Sequence, residues 1–182
     1  MSNFELHNID TAPDAAKPLL DKSIKGFGMI PNLHAVMAES PVLLEGYQML
    51  HGLSQKSSFS KEELTVVWQT INVEHACHYC VPAHTAIAKM MEVDDGITEA
   101  LRTQSPLQSP KLETLRTTVL LIVRNRGVVD STDLELFYAA GFTKQNLLDI
   151  VLVLSQKIMS NYTNHLAETP VDEKFSPFAW TK

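Results

Sequence analysis

The sequence is poor in cysteine, with only two in 182 residues. A chain of this length buries enough surface to fold without a disulfide or a structural metal. Two cysteines cannot form the framework of a disulfide-rich secreted protein. The thiols are therefore available for chemistry, and hydrophobic residues at 45% of the composition predict one ordinary packed domain.

Long apolar runs are also missing. The strongest, from Leu147 to Leu154, is interrupted by Asp149 and reaches only about half a membrane span. The first thirty residues contain no apolar stretch of signal-peptide length after a basic start. We therefore expect a cytoplasmic protein that does not span a membrane.

Basic residues are fewer than acidic ones. The chain has 15 lysines and arginines against 21 acidic residues, which gives a formal net charge of -6. A nucleic acid or an anionic membrane surface would be repelled on average. We expect neither as a partner.

The sequence also lacks the apolar–polar alternation typical of β-strands. The local signals that it does contain are those of helix caps. Ser60 with Glu63 matches a capping box that predicts a helix start, and Thr132 with Glu135 matches a second one. Helical patterns cover residues 14–25, 42–53, 61–74, 79–91, 110–127, 132–141 and 144–168.

These patterns predict a single all-α domain, a helical bundle over residues 1–182 with residues 1–28 as an N-terminal extension and 169–182 as a C-terminal tail. The last helix carries apolar residues such as Leu147, Ile150 and Leu154 around most of its circumference. Such a helix is buried on nearly all sides, which is more than one small domain usually covers. We predict a homo-oligomer.

Both cysteines lie in the stretch EHACHYCVPAHT, residues 74–85. Cys77 and Cys80 are three residues apart and His84 is four beyond Cys80, so all three lie along one stripe if a helix begins near Cys77. Pro82 would fall in the first turn of that helix, which supports a start near Tyr79. The thiolate is the reactive form of cysteine, and first-turn amides or an adjacent imidazole stabilise or generate it. Because His84 lies one turn beyond Cys80, we assign Cys80 as the nucleophile and His84 as its base. Cys77 is then the resolving thiol, which closes a disulfide once Cys80 is oxidised.

Such chemistry also needs an acid that orients the histidine and moves protons. Glu74 and Glu63 are the candidates, and Thr65 is a third position near them. The capping box by itself explains Glu63, and Glu74 is equally consistent with a solvated helix end.

Zinc binding is the main competing interpretation. Its ligands would be Cys77, Cys80 and His84, joined by one of His75, His78 and Glu74. Structural zinc sites usually take their second ligand pair from farther along the chain, which argues against this one. Covalent haem is excluded because Val81, not histidine, follows the second cysteine. The isolated histidines receive no role: His34, His51 and His165.

The stretch EHACHYCVPAHT, preceded by a helix that opens with FSKEEL, resembles the active-site signature of the alkylhydroperoxidase D (AhpD) and carboxymuconolactone decarboxylase family, with C-x-Y-C-x-x-x-H at its core. The tail TPVDEKFSPFAW resembles the ending of a peroxidase-related branch. The resemblance implies an AhpD-like all-α bundle that assembles as trimers or hexamers.

The resemblance further implies a thiol peroxidase that takes a hydroperoxide substrate and needs no cofactor. A dithiol partner, such as a lipoyl or thioredoxin-like protein, would re-reduce it. Cys80 would attack the peroxide, Cys77 would resolve, and His84 would relay the proton.

The chain departs from this family pattern at one position. Peroxidase members usually place a glutamate twelve residues before the first cysteine, where this chain has Thr65. The branch that decarboxylates a muconolactone typically lacks the cysteine pair. A decarboxylase or lactone-processing enzyme therefore ranks third, behind the peroxidase and a non-catalytic zinc-binding or redox-sensing oligomer.

Overall fold

The computed structural model describes residues 4–182, and over this range the chain forms nine α-helices and no β-strand. In chain order they are α1 (Lys17–Phe27), α2 (Asn32–Met37), α3 (Pro41–Ser54), α4 (Lys61–Glu74), α5 (Cys80–Met90), α6 (Asp95–Thr103), α7 (Pro110–Arg124), α8 (Ser131–Ala139) and α9 (Lys144–Ala167). Short 3-10 helices lie at Asp14–Ala16 and Glu173–Phe178. The all-α prediction is confirmed.

Five helices, α4 and α6 to α9, start at a side-chain cap. Ser60 and Glu63 form the predicted capping box at the start of α4. The second predicted box is wrong, because the carboxylate of Asp130 accepts from the backbone N–H of Asp133 at 2.9 Å and starts α8 ahead of Thr132. An aspartate caps a helix at least as well as a threonine does. Two helices, α2 and α6, are missing from the sequence-based prediction.

The core has two parts. The first contains α4 and α6 to α9, packed around side chains such as Trp68, Leu115 and Phe137. The second joins the N-terminal helices α1 to α3 to the start of α5, and it includes both Cys77 and Cys80. Helices α4 and α9 contact elements of both parts. The cysteine motif therefore lies where the two parts of the core meet.

Helix α9 has a polar inner face in its second half, which the sequence pattern did not indicate. Five polar side chains of this half are buried: Gln156, Lys157, Ser160, Asn161 and Asn164. Apolar residues stay exposed on the outer side: Leu148, Val151, Ile158, Tyr162 and Leu166. The helix thus turns polar groups towards the cysteine motif and apolar groups outward.

The C-terminal segment is fixed to the body of the protein by hydrogen bonds. The buried carboxylate of Asp172 accepts from the backbone N–H of Asn32 and from the hydroxyl of Tyr79. Farther along, Trp180 donates from its indole to the backbone carbonyl of Arg102. The tail therefore ties α2, α5 and α6 together beside the cysteine motif. Within residues 4–182, no helix has the length and apolar character to cross a membrane.

Candidate active site

A left-handed turn positions the two cysteines. Helix α4 ends at Glu74, and Ala76 adopts a φ of 52°. The backbone N–H of Cys77 then donates to the carbonyl of Asn72 at 2.9 Å, a bond typical of a helix C-terminus that ends in a left-handed residue. Helix α5 starts three residues later at Cys80, whose backbone N–H lies 3.3 Å from the Cys77 sulfur. Both sulfurs therefore lie at the N-terminal end of α5.

The two thiols differ in their surroundings. Both side chains are buried, Cys77 at 0% and Cys80 at 2% exposure, and both cysteines are free. Of the two, only Cys80 lines an apolar cavity of about 350 Å³. Asn164 on α9 donates from Nδ2 to the Cys80 sulfur at 3.2 Å, whereas its distance to the Cys77 sulfur is 3.9 Å. A molecule in the cavity would thus meet Cys80 first.

The same contacts make Cys80 the more acidic thiol. Burial raises its pKa, but hydrogen bonds from Cys77 and Asn164 and the charge of Lys157 outweigh burial and lower the pKa to about 6. The pKa of Cys77 is raised, because its proton is held in the hydrogen bond to Cys80 and because the group is buried. Cys80 is therefore the thiolate of the pair, and Cys77 is its hydrogen-bond donor.

Lys157 is a site residue that the sequence pattern did not reveal. It is fully buried on α9, and its Nζ donates to Nε2 of His84 at 2.8 Å. Burial lowers its pKa, while the neighbouring Cys80 and Cys77 act in the opposite direction. A buried charge requires a counter-charge, and the Cys80 thiolate supplies it. The sequence does contain a signal for this residue, because a lysine is unusual in a helix predicted to be buried on nearly all sides.

His84 lies in the cavity lining with Cys80, as the motif predicts, but with a different partner. A lysine ammonium only donates, so while Lys157 is charged Nε2 accepts and the ring proton is on Nδ1. Burial, together with Lys157 and His51, lowers the pKa of His84 well below its ordinary value. Over residues 4–182, Nδ1 has no hydrogen-bond partner, and neither ring nitrogen bonds to Cys80. Proton transfer from Cys80 directly to His84 stays a prediction.

The structure places both predicted carboxylates outside the cavity. Glu63 is held in the capping box with Ser60 and in an ion pair with Lys111 at 2.7 Å. Glu74 accepts from Arg124 at 2.7 and 2.9 Å, and this contact lowers its pKa. Thr65 donates to a backbone carbonyl of its own helix. None of the three lines the cavity, so the expected acid is not brought to the thiols.

A row of buried rings forms one side of the site. His84, Trp68, His51, Tyr47 and His34 follow one another with centroids 4.9 to 6.1 Å apart. Burial is the main cause that lowers the pKa of His51 to about 4 and of His34 to about 3. These two histidines, which received no role from the sequence, are therefore uncharged parts of the cavity wall.

The cavity itself is mainly apolar. Its ring and aliphatic lining includes Phe27, Leu33, Tyr47, Tyr79, Ile87, Met90, Phe175 and Phe178. Its volume is at the lower end of the range for small-molecule sites. The polar groups that reach it from the thiol end are Cys80, His84 and Lys157. The arrangement suits a small organic molecule that reacts at a thiolate.

The zinc alternative does not fit the donor set. His75 bonds to the side chain of Asn161, His78 bonds to the backbone of Thr169, and Glu74 is engaged by Arg124. Nowhere in the described range do three or more histidine, cysteine or acidic side chains form a group that could hold a metal. The residues that would complete a zinc site with the cysteines therefore bond to other groups.

No protein-family model and no curated protein sequence matches the chain. Solved structures do match over nearly their whole length. An AhpD-core, uncharacterised peroxidase-related protein from Ralstonia eutropha JMP134 is 18% identical with a TM-score of 0.84, covering 96% of this chain and 94% of its own. An uncharacterised peroxidase-related protein from Silicibacter sp. TM1040 is 19% identical with a TM-score of 0.78, covering 95% and 94%. The debrominase Bmp8, as a cysteine-to-alanine variant in complex with 2,3,4-tribromopyrrole, is 13% identical with a TM-score of 0.75, covering 97% of each chain.

At these identities the likeness establishes the fold. The chain has the AhpD-like fold, and the resemblance drawn from its cysteine motif is confirmed at that level. Proteins of this fold carry more than one activity, as the debrominase shows. The chemistry of this chain must therefore be argued from its own site.

Proposed function

We propose that this protein is a thiol peroxidase that reduces organic hydroperoxides with Cys80 and Cys77. The observation that carries the proposal is the asymmetry of the thiol pair. Cys80 has a pKa lowered to about 6 and lines an apolar cavity, while Cys77 lies one turn away behind it and keeps its proton. This is the arrangement that an attacking and a resolving thiol require.

In the first step the Cys80 thiolate attacks the terminal oxygen of the hydroperoxide. The S–O bond forms, the O–O bond breaks, and the sulfur is oxidised to a sulfenic acid. The departing alkoxide takes a proton from the ammonium of Lys157, which gives an alcohol and a neutral lysine. Burial supports this role because it lowers the pKa of Lys157 and makes the ammonium a better acid.

In the second step the sulfur of Cys77 attacks the sulfur of Cys80. The S–S bond forms, the S–O bond breaks, and the thiol proton leaves with the hydroxyl group as water. A dithiol protein of the lipoyl or thioredoxin-like class then reduces the disulfide and is itself oxidised. Of the two protons it delivers, one returns to Cys77 and the other to Lys157, which restores the Cys80 thiolate. Such reductants fit the reducing cytoplasm in which we place the protein.

Lys157 takes the place of the missing acid in this scheme. The family pattern expects a glutamate where this chain has Thr65, and neither Glu63 nor Glu74 lies at the cavity. A buried ammonium can both stabilise the thiolate and release a proton, so no carboxylate is needed. His84 positions it through the 2.8 Å hydrogen bond.

Reductive dehalogenation is the second candidate. A debrominase of the same fold binds a brominated pyrrole, and the cavity of this chain has aromatic walls that suit a flat ring. The Cys80 sulfur would take the halogen as S–Br, and the ring carbon would take the Lys157 proton. Attack by Cys77 would then form the disulfide and release bromide and a proton.

The test compares wild type with Cys77→Ser and Cys80→Ser. Each reduced protein is treated with a slight excess of cumene hydroperoxide, trapped with a sulfenic-acid reagent and examined by mass spectrometry. We expect a stable adduct on Cys80 in Cys77→Ser, a disulfide in wild type, and no adduct in Cys80→Ser. Unreacted thiols in all three proteins would refute the peroxidase, and bromide release from tribromopyrrole would then favour the second candidate.

Turnover separates an enzyme from a sensor. With dihydrolipoamide as the dithiol donor, wild type should consume many equivalents of hydroperoxide, while both cysteine variants should consume one at most. Oxidation to the disulfide without turnover would instead identify a redox sensor.

We also propose that the chain forms a homo-oligomer, a trimer or hexamer, through the outer face of α9. Its exposed residues Leu148, Val151, Ile158, Tyr162 and Leu166 recur at the spacing of one helical stripe. An exposed apolar stripe of this length is typical of a protein interface, and identical helices can pair along it.

A further inference from the structure

The charged side chains that line the cavity, other than the Cys80 thiolate, are all lysines. Three lysines line it, namely Lys89, Lys157 and Lys174, and no aspartate or glutamate of the described chain does. This distribution contrasts with the whole chain, which has a formal net charge of -6. The cavity wall is therefore lined by lysines and not by acidic side chains, although the whole chain is acidic.

The three lysines lie at different depths and have different partners. Lys157 is fully buried beside the thiolate, and Lys89 is neutralised by Asp95 at 2.8 Å. Lys174 is exposed, in the 3-10 helix Glu173–Phe178, and over residues 4–182 its ammonium has no hydrogen bond or ion pair. Lys174 is thus the cation at the rim without an ion-pair partner, and Asp172 and Glu173 line the adjoining groove with it.

Between these two ends the cavity wall is mainly apolar. Phe27, Met90, Phe175 and Phe178 contribute to its walls, and the histidines of the ring row are kept uncharged by burial. A volume of about 350 Å³ holds roughly a dozen non-hydrogen atoms, at the ~30 Å³ that a water-sized group occupies. The space suits a medium-length aliphatic chain.

We infer that the substrate of the proposed peroxidase is an amphipathic carboxylate, an aliphatic acid that places its hydroperoxide beside Cys80 and its carboxylate at Lys174. The inference rests on the proposed function and adds the substrate class. A carboxylate at the rim keeps most of its hydration, so its burial costs little, while the attraction of Lys174 favours the charged end over a neutral one. An anion placed deeper would lose its water and compete with the Cys80 thiolate for Lys157.

The test uses two substrates that differ in charge and by one methyl group: octanoate with a terminal hydroperoxide, and its methyl ester. At low ionic strength wild type should reduce the acid with a kcat/KM about fivefold above that of the ester. Lys174→Gln should bring the ratio close to one, and Lys174→Glu should invert it. Lys144→Gln, which removes an exposed lysine that does not line the cavity, should leave the ratio unchanged.

A binding measurement keeps the inference independent of turnover. In the Cys80→Ser variant, calorimetry should show that octanoate binds more tightly than octanol, and that Lys174→Glu removes the difference. Equal kcat/KM values for acid and ester in wild type, or equal binding of octanoate and octanol, would overturn the inference. The peroxidase proposal would survive either result as long as the protein still reduces both hydroperoxides with turnover.

Discussion

Nζ of Lys157 lies 2.8 Å from Nε2 of His84, and both residues are buried. Because the ammonium occupies the lone pair of that nitrogen, His84 cannot accept a proton there while Lys157 is charged. The contact joins α9 to α5 and brings a positive charge to the thiol pair. Lys157 is thus one of the groups that lower the pKa of Cys80, after the hydrogen bond from Cys77.

Removing this charge should raise the pKa of Cys80. In Lys157→Met, a substitution of similar length, we expect the pKa to move from about 6 towards the value of about 8.5 found for a free cysteine. Alkylation of Cys80 by iodoacetamide should then slow about tenfold near neutral pH. The measurement is the pH dependence of the alkylation rate, followed with the thiolate absorbance.

Lys144→Met is the matched control, because Lys144 is exposed at the start of α9. It should leave the titration of Cys80 at its wild-type midpoint. A Lys157→Met protein that is folded by circular dichroism and still titrates near pH 6 would show that Lys157 does not stabilise the thiolate.

Replacing Glu74 should affect stability rather than chemistry. The Glu74→Gln variant loses a partly exposed ion pair with Arg124, so its free energy of unfolding should fall by about 0.5–1 kcal/mol. Urea denaturation measures this loss, and Arg124→Gln should cause a similar one. If the rate of hydroperoxide reduction fell more than about tenfold in Glu74→Gln but not in Arg124→Gln, Glu74 would be part of the proton relay.

Acid should destabilise the fold through its buried histidines. A histidine in the unfolded chain has a pKa of about 6.5, whereas burial lowers that of His51 to about 4 and that of His34 to about 3. Below the unfolded value the unfolded chain binds protons that the folded chain does not, so stability falls as the pH falls through this window. Each such group contributes a loss of about 1.4 kcal/mol per pH unit.

Urea unfolding at about pH 7 and about pH 5 measures this loss. His34→Gln should reduce the difference between the two conditions, because it removes one of the titrating groups. A difference that stays the same in this variant would assign the acid sensitivity to other groups.

The α9 stripe should control assembly. Leu148→Glu with Leu166→Glu places charges on two exposed positions of the stripe, and light scattering should then give the 20.3 kDa mass of one chain. Leu136→Glu on α8, also exposed, serves as the control and should keep the wild-type mass. A wild-type protein that is already monomeric at micromolar concentration would contradict the proposed interface.

Local patterns accounted for most of the helices. The spacing of apolar residues and the Ser60 capping box predict α3, α4, α7 and α9 closely, since both signals act within a few residues along the chain. Helix α2 has six residues and so carries too few turns for a periodic pattern. Helix α6 is capped by Asp94, and aspartate is a residue that favours the N-cap position.

The all-helical character of the chain, and the short motif that contains Cys77, Cys80 and His84, follow from the amino-acid sequence alone. The surroundings of these three residues depend on tertiary packing. Lys157 follows His84 by 73 residues, and its contact depends on how α9 packs against α5. Helical periodicity indicates which residues are buried, but not what they meet. The counter-charge of the thiolate therefore becomes visible only when the helices are packed.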